Sequence, residues 1–190
     1  MRDFLEATRG APAHPSLHKA LALRDGDPGR ALDLGCGAGR DSLQLLAAGW
    51  FVIALDRDAR ALEMLRQQAG SYPSPRLSTL LQPFEDIRPL PSVDLVNASF
   101  ALPFCAPEMF DDLWQRLCES LAEDGWFSGH FFGPNDDWAS RGLTIHRRDE
   151  VMGLFEGWRS IELSEFEHDG KTAVGTLKHW HLFEVVARRS

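Results

Sequence analysis

Residues Ala31–Ser42, ALDLGCGAGRDS, decide how this chain is read. Ala31, Leu32 and Leu34 form a short apolar run that carries one acid, Asp33. Glycines then occupy alternating positions, Gly35, Gly37 and Gly39, before a helix-like pattern resumes at Arg40. A strand, a glycine turn and a helix start in that order make a nucleotide-binding device. Glycine lets the backbone approach a ligand closely in dihedrals that a side chain forbids. The helix start offers N–H groups with no partner inside the helix.

Outward from this segment, apolar stretches alternate with helical periodicity. Ser16–Leu23 reads as a short helix with Ser16 as its cap. Leu32–Leu34 is the first strand, followed by a helix over Asp41–Ala48 that Gly49 closes. Phe51–Leu55 is a strand buried on both faces, Ala59–Ala69 a helix, Ser71–Pro75 a breaker, and Leu77–Leu81 and Val93–Ala98 further strands. The spacing of Phe110, Leu113, Trp114, Leu117, Cys118 and Leu121 predicts a helix opened by Pro107 and stopped by Gly125. Trp126–Phe132 is the fifth strand, Gly133–Gly142 a polar loop of functional length, and Glu150–Phe155 a short helix. Trp158–Phe166 and His179–Ala187 are strands joined by Glu167–Lys178, a link too short for a helical crossover, so they run antiparallel. The expected fold is α/β: a doubly wound, mostly parallel seven-stranded sheet with an antiparallel last strand.

A chain of 190 residues suits one domain with a substantial core. No window approaches a membrane span, and the N-terminus lacks the apolar core of a signal peptide. Cys36, Cys105 and Cys118 form no CxxC pair, which fits reduced thiols in a cytoplasmic protein. A net charge of −8 disfavours nucleic acid as a partner. Oligomeric state is not readable from the sequence.

Spacing narrows the nucleotide. The dinucleotide fingerprint GxGxxG wants a small residue where one frame here has Arg40 and the other Ser42. A carboxylate at Asp33 repels phosphate and suits a ligand with positive charge. The run DLGCGAG, with Asp56 closing the next strand in VIALD, resembles the class I S-adenosylmethionine-dependent methyltransferases over about Ala31–Phe132. The Gly39-Arg40-Asp41-Ser42 continuation and the segment Phe100–Phe104 are similar to small bacterial members of the tellurite-resistance and thiopurine type.

The resemblance implies S-adenosyl-L-methionine as cofactor and methyl transfer to a small-molecule acceptor. Residues 1–29 would be a helical lid segment, 30–132 the cofactor-binding core, and 133–190 a substrate loop with a C-terminal hairpin. Gly35, Cys36 and Gly37 would bring backbone to the methionine moiety, with Gly39 completing the turn and Asp33 anchoring that end. Asp56 would accept from both ribose hydroxyls, and Arg57 would pack beside the adenine. Pro83 stands where relatives often have an acid after the third strand, so Phe84 or Glu85 would take over near the adenine amino group. Asn97, Ala98 and Ser99 would border the methionine end. A Rossmann-type NAD(P)-dependent oxidoreductase and a non-catalytic cofactor-binding module are the alternatives.

Methyl transfer from a sulfonium is an in-line displacement, for which orientation alone can supply roughly 7–11 kcal/mol. The expected acceptor pocket lies at the carboxyl ends of the strands, with Phe100, Phe104, Cys105, Phe132 and Trp138 as candidate walls and His14–Leu17 folding over it. Asp137 and His130 are candidate bases, His130 also reading as a satisfied core residue. His179 and His181 share one strand face, but no third ligand points to a metal.

Overall fold

The computed structural model describes residues 3–71, 74–87 and 89–190. Tyr72 and Pro73, within the expected breaker Ser71–Pro75, lie outside the described residues. Seven strands form one sheet: β1 (Arg30–Leu34), β2 (Phe51–Asp56), β3 (Leu77–Leu81), β4 (Val93–Ala98), β5 (Leu121–Phe132), β6 (Ser160–Lys171) and β7 (Leu177–Arg188). Their order is β3-β2-β1-β4-β5-β7-β6, and β7 runs antiparallel to both of its neighbours, β5 and β6. The sheet is therefore the doubly wound, mostly parallel one that the alternating pattern predicts. Its strand order reverses between β1 and β4, the position where open α/β sheets bind ligands.

Helices cover both faces, α1 (Phe4–Thr8), α2 (Pro15–Leu23), α3 (Arg40–Ala47), α4 (Ala59–Gln68), α5 (Phe110–Ser120) and α6 (Arg148–Leu154). On one face Leu113, Trp114 and Leu117 of α5 and Val151 of α6 pack with Val96, Phe127, Phe131 and Val185. On the other, Leu17 and Ala20 of α2, Leu45 of α3 and Leu62 and Leu65 of α4 pack with Ala31, Val52, Ala54 and Val186. Strand alternation then turns Asp33 of β1 and His130 and Phe132 of β5 toward the α2–α3 face. Among the described residues, no helix is long and apolar enough to cross a membrane.

Three local expectations are corrected. The helix after Pro107 does not run to Gly125: it ends at Ser120, and Leu121 is already extended at ψ 125°. Leu121 is buried and paired with Val93 at the start of β5. The turn falls inside the strand, where Asp124 takes a φ of 61° and the register shifts. Gly125 serves that turn, since a Cβ there would lie 2.8 Å from both the Ala122 carbonyl oxygen and the Leu121 side chain. Pro107–Met109 forms a 3₁₀ turn ahead of α5 rather than its first α-helical residues.

Ser16 is not the cap of α2. His14 is, and Pro15, with its φ fixed near the helical value, occupies the first turn. The C-terminal hairpin is longer than expected, because β6 continues through His168–Lys171 and only Thr172–Thr176 is left as the turn. Backbone bonding from Thr172 N to Thr176 O at 2.8 Å closes it. α1 lies within the segment 1–29, expected to be helical. It is five residues long and rests on Asp3, whose side chain accepts from Leu5 N at 2.9 Å.

Gly39 holds the turn and the helix layer at once. Its φ is 90°, and a Cβ there would stand 2.5 Å from Leu65 Cδ1 of α4. Gly37 has a φ of 52° but open space where a Cβ would go. Left-handed backbone costs a non-glycine residue roughly 1–2 kcal/mol. Gly37→Ala is therefore expected to lose about that much stability in urea unfolding. Gly39→Ala should lose more, because Leu65 must also move; equal losses would mean that the α4 contact contributes nothing.

Candidate cofactor and acceptor site

The three glycines bend the chain back over the carboxyl ends of β1 and β2. Cys36 N donates to Leu55 O at 3.0 Å, Gly37 N to Asp56 Oδ2 at 2.8 Å, and Gly39 N to Cys36 O at 2.9 Å. Gly35 has a φ of 65°, and a Cβ on it would sit 2.8 Å from Ala101 Cβ and 3.3 Å from the Phe84 ring. The segments after β3 and β4 thus close on the loop from two sides. Burial, and after it the charge of Asp33, raises the Cys36 thiol well above its ordinary value, so it is an inert filler of the turn.

Beneath the loop lies a buried polar network. Asn97 of β4 is fully buried, and its Nδ2 donates to Asp33 Oδ1 at 2.8 Å and to Asp41 Oδ2 at 3.0 Å. Ser42 Oγ donates to Asp33 Oδ2 at 2.5 Å, and Ser99 Oγ to Asn97 Oδ1 at 3.1 Å. Asp41 Oδ1 accepts from His14 N at 2.8 Å, which seats the N-terminal segment on the same network. Asp33 and Asp41 are 2% and 3% exposed. Burial, followed by the charge of Asp41, pushes the Asp33 carboxyl up to about 7. Asp33 and Asn97 therefore face inward and hold the loop from below. No local pattern marks Asp41 within GRDS, because its partners His14 and Asn97 are remote in the chain.

Asp56 is placed differently. It is half-buried at the end of β2, its Oδ2 taking the Gly37 N–H and its Oδ1 the Asp58 N–H at 2.9 Å. A carboxylate has about four lone-pair sites. Two are filled by backbone, and those left suit the vicinal hydroxyls of a ribose. Arg57 is exposed beside it, Phe84 is half-buried and Glu85 is exposed. Asp58 caps α4 through Arg60 N at 2.8 Å. Arg40 donates its guanidinium to the Pro12 carbonyl and so brings no cation into the turn. The free lone pairs of Asp56 fit a ribose diol, and an acid at the mouth of the turn opposes a pyrophosphate.

On the acceptor side, aromatic rings gather at the ends of β4, β5 and β7. Phe100 takes a φ of 53°, uncommon for a bulky residue, and lays its ring on the His130 imidazole at 4.2 Å and 17°. His14 lies 5.0 Å from Phe100 and 5.6 Å from His130. Phe132 and Trp180 meet Phe100 edge-on at 6.3 and 6.0 Å, and Trp138 packs on Phe104, Phe132 and Trp180. Of the expected walls, Phe100, Phe104, Phe132 and Trp138 come together here. Cys105 does not: it is buried in the core on the α5 side, where burial pushes its thiol up to about 11. Ala98 is buried at the end of β4, its carbonyl turned to Ala101 N.

Two further groups at this end were not anticipated. Lys178 and Asp136 form a buried ion pair, with the ammonium 3.6 Å from the Trp180 ring centroid, 4.6 Å from Trp138 and 4.8 Å from Phe132. Asp136 also accepts from His181 N of β7 at 3.2 Å, which pins the 133–142 loop to that strand, and from Trp138 N at 3.0 Å within the loop. A sequence signal existed in the i, i+2 spacing of Lys178 and Trp180 on one strand face. Asp137 is exposed and accepts from His179 N at 2.7 Å, so it braces the loop. His179 pairs with Asp169 and Glu167, and His181 with Glu165 at 3.1 Å.

A doubly wound sheet, with a glycine turn at its switch point and an acid closing the second strand, defines a nucleoside-cofactor protein. Residues 31–125, half of the chain, match the family described as a methyltransferase domain, and the chain belongs to that family. This is the class I S-adenosylmethionine-dependent group that the DLGCGAG run resembles. Thiocyanate methyltransferase 1 of Brassica oleracea is 35% identical over 100 residues, a match spanning 51% of this chain and 43% of that protein. Among solved structures, TehB from Haemophilus influenzae superposes with a TM-score of 0.76 at 18% identity, over 94% of this chain and 63% of that one. The N-methyltransferase NodS from Bradyrhizobium japonicum, in complex with S-adenosylhomocysteine, gives a TM-score of 0.71 at 16% identity, covering 93% of this chain and 88% of that one.

Two groups, the half-buried His14 and the buried Asp33, give the site opposite pH responses. Burial holds His14 down at about 4, against an ordinary 6.5. Between those values the unfolded chain binds a proton that the folded chain refuses, so stability falls on acidification. Asp33, raised to about 7, keeps a proton that the unfolded chain has released, so its contribution grows on acidification. From pH 7 to 4, the melting temperature of His14→Phe should fall less than that of the unsubstituted protein, and that of Asp33→Asn should fall more. The reverse order would refute these assignments.

Proposed function

We propose that the protein transfers a methyl group from S-adenosyl-L-methionine to a small-molecule acceptor by in-line displacement. The observation that carries this reading is Asp56, which holds the glycine turn with one oxygen and keeps lone pairs free for a ribose diol. When bound, the cofactor supplies an electrophilic methyl carbon on a sulfonium. Asp56 would bind the ribose, with Arg57, Phe84 and Glu85 about the adenine. Gly35, Cys36, Gly37 and Gly39 would offer backbone to the methionine end, with Ala98 beside it. Asp33 and Asn97 would act from below, by fixing the turn.

The chain's own contribution to the chemistry is alignment and exclusion of water. Phe100, Phe104, Phe132 and Trp138 would wall the acceptor, and residues 1–29 would flank it through His14. Residues 30–132 would bind the cofactor, and 133–190 would shape the acceptor side. The activities for which the relatives are named, methylation of thiocyanate and N-methylation, are in keeping with a small acceptor.

Calorimetry with S-adenosylhomocysteine tests this reading. Micromolar binding is expected, weakened at least about tenfold in Asp56→Ala, since each charge-assisted hydrogen bond contributes roughly 1.5–3 kcal/mol. No binding at millimolar ligand, or a shift in melting temperature with NAD alone, would overturn it.

A further inference from the structure

One polar atom on the acceptor side has no partner. His130 is 3% exposed, and its Nδ1 meets no hydrogen-bond partner among the described residues. Its Nε2 faces Glu184 Oε2 at 3.5 Å. The two residues are direct cross-strand neighbours in β5 and β7 and point to the same face. A buried polar nitrogen left without a partner is costly, and such groups are rare in native proteins. The ring is also held in place rather than loosely packed, because Phe100 accepts left-handed backbone in stacking on it. A carboxylate on one nitrogen and a bare second nitrogen make an oriented base.

We propose that His130 is the general base of methyl transfer, that Glu184 is its positioning residue, and that the acceptor is a planar nucleophile arriving with its proton, an aromatic thiol or hydroxyl compound. The proposal rests on the methyl-transfer reading and adds the acceptor class. The acceptor's proton passes to His130 Nδ1, leaving an electron pair on the acceptor atom. That pair forms the bond to the methyl carbon as the carbon–sulfur bond breaks, the electrons of the broken bond staying on sulfur. Glu184 balances the imidazolium until the proton leaves to water. Planarity follows from the Phe100 and His14 rings against the imidazole and from Trp180 edge-on to Phe100. The charged and titratable groups facing the dyad are His14 ahead of α2, Lys19 of α2, and Glu162 of β6 across from Lys19. His130 lowers the Glu184 carboxyl, so Glu184 is ionised at neutral pH.

Nitrogen-15 NMR of histidine-labelled protein tests the dyad without turnover, the His130 signals being those lost in His130→Gln. The expected ring carries its neutral-state proton on Nε2 and titrates at lower pH in Glu184→Gln. A neutral ring protonated on Nδ1, or a titration indifferent to Glu184, overturns the proposal. Turnover is then measured on phenol, catechol and benzyl mercaptan, and on iodide, which has no proton to lose. In His130→Gln the three proton-bearing probes should lose at least about a hundredfold in kcat with KM nearly unchanged. Iodide should change less than about threefold. Glu184→Gln should move the ascending pH limb to lower pH, and it carries the test alone if His130→Gln does not fold. Equal loss on both kinds of probe, or loss on neither, overturns the base. Turnover of iodide alone by the unsubstituted protein overturns the base and leaves methyl transfer standing. No turnover of any probe counts against both.

Discussion

The fold of the site depends on one amide. Asn97 places its two N–H groups between the carboxylates of Asp33 and Asp41, two acids that would otherwise face each other in a buried space. Through that contact β4 is tied to β1 and to the first turn of α3, on either side of the glycine loop. Asp41 extends the tie to the N-terminal segment through the His14 amide. Removing Asn97 would leave two buried acids facing each other without a shared donor, and the loop without its floor. The switch point of the sheet is therefore more than a gap between strands. It is a place where the polar interior fixes the curve of the backbone above it.

The same electrostatics explain which ligand the turn suits. Glycine loops at helix starts commonly serve phosphate. Here Asp56 stands at the mouth of the loop, the acids Asp33 and Asp41 lie beneath it, and the nearby Arg40 is committed to Pro12. Such a site disfavours pyrophosphate and accommodates a cation. The acceptor side is built on a different principle. Lys178, neutralised by Asp136 and boxed by aromatic rings, locks the 133–142 loop to β7, and Phe100 stores backbone strain to hold the His130 ring. Rigid walls of that kind favour alignment over induced closure.

Gly35, Gly37 and Gly39 declare themselves by spacing, and the buried run of β2 by its continuous apolar character. The reversal of β7 followed from the short link before it. What failed were boundaries set by tertiary pairing. Leu121 carries a helical signature, yet its pairing with Val93 draws it into β5, and the stop expected at Gly125 became a turn inside a strand. Ser16 resembles a cap, but Pro15 sets the start one residue earlier. The polar partners were illegible for a related reason: Asn97 and Asp41 are 56 positions apart, and Lys178 and Asp136 are 42 apart. No local pattern joins such residues, and only the topology brings them together.

The central claim is that Asn97 shapes the cofactor site without touching the cofactor's exposed groups. Its most direct test is the dissociation constant for S-adenosylhomocysteine of Asn97→Leu, in protein whose near-ultraviolet circular dichroism remains native. The account predicts affinity weakened at least about a hundredfold, a loss of roughly 2.7 kcal/mol. Unchanged affinity in the folded variant would contradict it.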